Sequence, residues 1–260
     1  SSLSCENIIG LDSCFGRSDD DFSKIEKRVL KKIKEMTGKE KLVALQGSGT
    51  LALEIGITNF LYGKVLLINT GYYSERLENM IKFSRTQNTK IKSLEIINWD
   101  NINSIEKHFD WIVGCSVETS IGLKLDIREL KKISKKTKSK LFLDAIASFG
   151  LESDHELADL LCFSSCKGLF GLTGGSFVAF DKDPENEVKS FYLNVFTHLE
   201  KKVTGPYHTI LSLDNILKNH QDFKFSVFVN KEKFLNLAKN FLVFPLYNQP
   251  LLCTAVNGKV

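Results

Sequence analysis

Leu160-Leu161-Cys162-Phe163-Ser164-Ser165-Cys166-Lys167-Gly168 decides the reading of this chain. A run of four apolar residues closed by two hydroxyls reads as a short strand buried on both faces. The lysine that follows stands between that strand and the glycine-rich run Gly168-Leu169-Phe170-Gly171-Leu172-Thr173-Gly174-Gly175, which leads into a further apolar segment, Ser176 to Phe180. A cation between apolar strands and close-packed backbone is costly unless function uses it. Upstream, Asp144 stands in the same setting, directly after Leu141-Phe142-Leu143. Burial without a partner raises a carboxylate's pKa and costs stability, so Asp144 is expected to face a cation: a structural arginine, a magnesium ion or a protonated ring nitrogen.

The same strand pattern recurs outward from this pair, at Leu42 to Leu45, Val65 to Ile68 and Trp111 to Cys115. Segments with helical spacing separate the strands, among them Leu51 to Leu61 and Ile127 to Ile133. Before them, Phe22, Ile25, Val29, Ile33 and Met36 recur at three and four, with acidic residues ahead of the first turn and Gly38 behind the last, which predicts an amphipathic helix over Asp19 to Met36. Short apolar strands alternating with helices imply a mainly parallel α/β domain covered on both faces. Beyond about residue 185 the pattern changes, and helices are expected over Thr209 to Leu217 and Glu232 to Leu242, then a strand-like end around Leu242 to Phe244.

Composition narrows the class. The 260 residues, 43% hydrophobic, contain no apolar stretch of the roughly 18 residues that a membrane span needs, and Ser1 to Gly10 lacks the charged-then-apolar pattern of a secretory signal. A cytoplasmic protein with no membrane contact is expected. The six cysteines form no CxxC pair and no set with zinc-ligand spacing, so free thiols are expected and no metal. The net charge of +4 is spread over 35 basic and 31 acidic side chains. Its one dense basic run, Lys131 to Lys140, keeps helical apolar spacing and reads as a solvated helix face rather than a nucleic-acid patch.

The strand ends carry the candidate site. Gln46-Gly47-Ser48-Gly49-Thr50 joins a strand to a helix, where backbone N–H groups and the positive end of the dipole hold a phosphate; a tight turn capped by Ser48 or Thr50 explains the same residues. Asn69 to Arg76 follows the next strand and brings Tyr72 or Tyr73 to the edge where open α/β sheets bind ligands, positioned to stack on a flat cofactor. Val117 to Gly122 follows the strand ending near Cys115, where Thr119 could hydrogen-bond a phenolic oxygen or Asp144 with Glu118 in the same network, and a turn with capping hydroxyls explains the same residues. An amine at Lys167 that forms a Schiff base, and a carboxylate at Asp144 that keeps a pyridine nitrogen protonated, are what pyridoxal phosphate (PLP) chemistry needs. Ser164 and Ser165 add hydroxyls that can donate to its phosphate.

These pieces, in this order, resemble the class V aminotransferases of PLP fold type I, and most closely the 2-aminoethylphosphonate:pyruvate transaminases. Asp12-Ser13-Cys14 and Asp19-Asp20-Asp21-Phe22 resemble the family's opening, and Leu45 to Thr50 its LQGSGS/T turn. Asn69 to Arg76 is similar to its NGxYGxR, Glu118 to Gly122 to its ETTTG, and Asp144 to Gly150 to its DAMSSFG. Ser164 to Gly168 is similar to its SSxxKxxxGxxG and Thr204 to Thr209 to its TPPTHT.

The resemblance implies a mainly parallel seven-stranded sheet covered by helices: an N-terminal arm over residues 1–20, a large PLP-binding domain over 21–220, and over 221–260 only the start of a small C-terminal α/β domain. It implies that Lys167 is the Schiff-base lysine, Asp144 the pyridinium partner and Tyr73 the stacking ring. Ser48, Gly49, Thr50 and Ser165 would hold the phosphate, with Ile146 among the cofactor contacts and Thr119 near the phenolic oxygen. Thr209 would reach the phosphate of a neighbouring subunit, which places the site at a homodimer interface. The implied reaction moves an amino group from a small donor, best read as 2-aminoethylphosphonate, to pyruvate.

Departures from the family qualify this. Ser74 and Thr70 replace small positions of NGxYGxR, and Cys166 stands where relatives carry an amide. Relatives continue into a small domain that supplies an arginine for the substrate's acidic group, and Thr254-Ala255-Val256 resembles its first strand. The chain is therefore expected to be a fragment or shortened form, or one whose substrate recognition is lost or moved. A serine- or alanine-glyoxylate aminotransferase and a non-catalytic PLP-fold binding protein are the alternatives. Desulfuration of cysteine would want a nucleophilic thiol on a mobile loop, and the sequence singles out none.

Overall fold

After a 3-10 turn at Cys5–Asn7, the first α-helix is α1 (Asp20–Thr37), eighteen residues long. It starts where Asp19 accepts hydrogen bonds from the N–H groups of Asp21 (2.9 Å) and Phe22 (3.0 Å) and stops at Gly38, whose φ of +63° suits a left-handed cap. The computed structural model describes residues 4–9, 11, 15–16, 19–87, 90–244 and 251–255. The opening motif Asp12-Ser13-Cys14 and residue Val256 lie outside them.

From there strands and helices alternate: β1 (Lys41–Gln46), α2 (Gly49–Phe60), β2 (Gly63–Asn69), α3 (Tyr72–Thr86), β3 (Ile91–Asn98) and β4 (Trp111–Cys115). A two-residue ladder, β5 (Val117–Glu118) with β6 (Leu123–Lys124), precedes α4 (Ile127–Thr137). Then come β7 (Lys140–Asp144), β8 (Leu160–Ser164), β9 (Gly175–Phe180), α5 (Val195–Leu199), α6 (Tyr207–Ile216) and α7 (His220–Ala238). Seven strands form one sheet in the order β1-β9-β8-β7-β4-β2-β3. The pairs from β8 through β7, β4 and β2 to β3 are parallel, and β9 runs antiparallel to both β8 and β1. The expected mainly parallel α/β fold is the one observed.

Each strand feeds two cores. Leu66, Ile68, Ile112, Leu141, Leu143, Leu161 and Phe163 pack with α1, α4 and α6 on one face, while Val65, Leu67, Val113, Phe142, Leu160 and Cys162 pack with α2, α3 and α5 on the other. Both sides being covered, the strands read as continuous apolar runs, and each fully buried Leu, Ile or Phe contributes about 1.5–3 kcal/mol of transfer free energy.

Three expectations change. β3 had no apolar run to announce it: it is an edge strand, and only Ile91 is buried along it. α7 begins twelve residues before the expected Glu232, because its apolar residues Phe225, Phe228, Phe234 and Leu237 are exposed and give no amphipathic period. The strand-like end at Leu242 is a single antiparallel bridge, Leu242 to Thr254. The basic run is a helix face whose lysines reach acids, Lys131 to Asp159 at 3.1 Å and Lys136 to Glu106 at 3.3 Å.

Candidate active site

The C-terminal ends of β1, β2, β4, β7 and β8 open on one edge of the sheet, and because β9 runs the other way its start lies there too. A cavity of about 250 Å³ forms at this edge. Ser48, Gly49 and Thr50 line it from the β1–α2 turn, Tyr73 and Arg76 from α3, and Thr119 from the turn after β5. Asp144 and Ile146 close the floor at the end of β7, and Ser164, Cys166 and Lys167 the side after β8. Residues scattered from 48 to 175 meet because strand ends converge at a ligand crevice.

Asp144 is 3% exposed. Its Oδ1 accepts the Ile146 N–H at 3.0 Å, and among the described residues no cation forms a salt bridge with it. Burial is the largest influence and raises its pKa from 3.8 to about 6; the Ile146 N–H and the field of Arg76 lower it, and Glu118 raises it. Arg76 is the cation whose field is felt at Asp144, without a contact. The carboxylate still has accepting capacity directed at the cavity it lines.

At the β1–α2 turn, Ser48 occupies the N-cap position of α2 but its hydroxyl makes no capping bond, and Ser48, Gly49 and Thr50 line the cavity at this helix start. Gly47 donates its N–H to Gly174 O at 2.9 Å, tying the turn to the glycine run before β9. Gly49 is pressed against Ile146: a Cβ there would lie 2.6 Å from Ile146 Cδ1 and 2.8 Å from Cγ1. The absence of a side chain at 49 is what lets the helix end approach Asp144's own turn.

Tyr73, not the 65%-exposed Tyr72, lines the cavity. The Arg76 guanidinium lies over its ring, 4.8 Å from the centroid, with Nε buried and unpartnered. Arg76 closes the quoted NGxYGxR stretch, and its spacing of three from Tyr73, one helical turn, was the available signal for a residue sequence reasoning left out of the site. Glu118, fully buried, anchors this helix start: its carboxylate accepts from Tyr73 N–H at 2.9 Å and from Ser120 Oγ at 2.6 Å and N–H at 3.2 Å. The departures Thr70 and Ser74 serve the same anchor. Ser74 Oγ accepts from the N–H groups of Thr70 (2.8 Å) and Gly71 (2.9 Å), and Thr70 Oγ1 donates to Glu118 at 3.4 Å.

Some residues sit differently from expectation. Lys167 lines the cavity but is exposed, on a turn beyond β8 rather than between the strands. Ser165 is fully buried and its hydroxyl is turned to Leu172 O (2.5 Å) and Gly175 O (2.9 Å), so it does not line the cavity; Ser164, one residue earlier, does. Thr119 lines the mouth, but Asp144 takes no hydrogen bond from it. Thr209, buried on α6, donates to Thr173 O at 3.1 Å and packs its methyl where a Cβ on Gly175 would be. Within its own chain it buttresses the glycine run.

No family model matches the sequence. A bifunctional phosphonoacetaldehyde hydrolase/aminoethylphosphonate transaminase of Clostridioides difficile is 26% identical over 267 residues, covering 90% of this chain and 42% of the relative. A 2-aminoethylphosphonate–pyruvate transaminase of Pseudomonas putida is 26% identical over 65% of this chain and 49% of its own length. Among solved structures, an alanine–glyoxylate aminotransferase from Nostoc superposes with a TM-score of 0.82 at 17% identity, covering 99% of this chain and 78% of that one. The fold is that of an aminotransferase. The resemblance read from the motifs thus holds in sequence and in fold, and the seven-stranded sheet is the sheet of the aminotransferase fold. This chain spans about half the length of the relatives it matches.

Proposed function

We propose that the chain forms the large domain, residues 21–220, and the first part of the small domain, from 221, of a PLP-dependent aminotransferase. The best reading is transfer of the amino group of 2-aminoethylphosphonate to pyruvate. One observation carries it: Lys167 and a buried Asp144 with a raised pKa share one cavity with an uncapped helix N-terminus.

The residues fit the cofactor. The α2 N-terminus with Ser48 and Thr50 would hold its phosphate, Tyr73 and Ile146 would bound its ring, and Asp144 would hold the proton on its nitrogen. When bound, PLP supplies a carbonyl for an amine to condense with and a ring that accepts electrons. Lys167 Nζ would form the covalent link and, once displaced by a donor, move the proton from the donor's α-carbon. Cys115 and Cys162 are held as thiols by burial, which argues against desulfuration through either. The glyoxylate-type aminotransferases remain the second reading, favoured by the fold superposition.

A homodimer is part of the proposal. A second cavity of about 960 Å³ shares Thr50 and Arg76 with the first, so a partner seated there would lie beside the site. The free thiols among the described cysteines fit a cytoplasmic setting.

Titration with PLP tests the site: a near-visible absorbance band is expected that disappears in Lys167→Ala and is bleached by one turnover of 2-aminoethylphosphonate. A band that survives in Lys167→Ala removes the assignment of that residue. Bleaching by alanine or serine but not by the phosphonate moves the reading to the second class.

A further inference from the structure

Behind Asp144 runs a buried polar chain that the reaction as described does not use. Ser116 sits directly after β4 and gives both its N–H (3.0 Å) and its hydroxyl (2.9 Å) to the main-chain oxygen of Asp144. Its oxygen lies 2.6 Å from Ser148 Oγ, and Ser148 Oγ lies 2.8 Å from His155 Nε2. Ser116 and Ser148 are each 1% exposed and His155 is 3% exposed. Ser148 also closes the turn that carries Asp144, donating its N–H to Ala145 O at 3.2 Å. The backbone of Glu152 also favours the protonated form of the His155 ring.

Counting protons leaves this chain two directions. Both ends, Asp144 O and the Glu152 backbone oxygen, only accept, and between them lie two hydroxyls and an imidazole. If Ser116 donates to Asp144, Ser148 must donate to Ser116, and His155 must donate from Nε2. If His155 donates from Nδ1 to Glu152 instead, Ser148 turns to the ring, Ser116 turns to Ser148, and Asp144 keeps only the Ser116 N–H. Burial lowers the pKa of His155 to about 4, with Lys124 and Lys224 acting in the same direction and Asp154 against it, so the ring is neutral at physiological pH and carries one proton.

Resting on the functional reading above, we propose that His155 is a positioning residue: through Ser148 and Ser116, as the neutral Nε2–H tautomer, it pins the main chain of Asp144 and so fixes where the carboxylate points in the cavity. Three readouts test it on the full chain. Nitrogen NMR of the cofactor-free protein should find His155 protonated at Nε2; protonation at Nδ1 overturns the proposal. Ser148→Ala and His155→Leu should weaken PLP binding by about threefold to tenfold, the worth of one or two hydrogen bonds. His155→Gln, which keeps a donor, should recover most of it. Unchanged affinity in Ser148→Ala also overturns the proposal, and that variant carries the binding test if His155→Leu fails to fold. Should the parent chain take no PLP, the functional reading fails, and the tautomer alone decides the role of His155.

Discussion

Asp144→Asn separates what the fold wants from what a ligand wants. Burial moves the Asp144 carboxyl from 3.8 to about 6, a difference of about 3 kcal/mol between its protonation states. The folded chain therefore holds this proton more tightly than the unfolded chain, and the associated stability is present below 3.8 and lost as pH rises through about 6. Asparagine keeps an oxygen for the Ile146 N–H and never ionises. Without cofactor, the variant is expected to be about 3 kcal/mol more stable than the parent near pH 8 and about equal to it near pH 3. His155 has the opposite sign. Its pKa falls from 6.5 to about 4, so its contribution is lost as pH drops through that window. In the parent the two groups offset each other between about pH 4 and 6, and Asp144→Asn should expose the histidine limb as a decline toward acid. The assay is urea unfolding of the cofactor-free chain followed by circular dichroism at a series of pH values. A variant no more stable than the parent near pH 8, or a difference that does not vary with pH, refutes the reasoning. The same variant should lose its affinity for PLP.

Two further expectations concern the walls. Gly49→Ala is expected to destabilise by up to about 2 kcal/mol net, overpacking against Ile146 costing about 1–3 kcal/mol and helix propensity returning up to about 1 kcal/mol; adding Ile146→Ala should relieve it, and strict additivity in urea unfolding would contradict the contact. Glu118→Ala strips the carboxylate from the start of α3 and should cost about 2–3 kcal/mol while loosening Tyr73. Retained stability together with full PLP affinity would show that the anchor does not matter.

Much of the sheet was legible because it is covered on both faces. Leu160 to Phe163 and Leu141 to Leu143 leave no polar position where water could reach, so their type was plain from composition alone. Edge and surface elements were less so. β3 interleaves Lys92, Glu95 and Asn98 with its apolar residues, and α7 is apolar on faces that no described residue covers. At the candidate site, Lys167, Asp144, the β1–α2 turn and Tyr73, which line one cavity, could be singled out because each follows a recognisable strand. Arg76 was missed because its role depends on which way the helix faces.

By itself, the sequence determined the mainly parallel α/β class and showed that Asp144 and Lys167 each follow a buried apolar strand, since both follow from hydrophobic pattern and local order along the chain. Tertiary structure alone decided between neighbours that sequence cannot tell apart. Ser164 faces the cavity and Ser165 the core because strand alternation and the pairing of Ser164 with Ser176 set the register. It also decided the state of Asp144. Its raised pKa comes from burial, which only the packed strands and helices provide, and the chain behind it forms because Ser116, 28 residues away in sequence, is brought within hydrogen-bonding reach of the Asp144 turn.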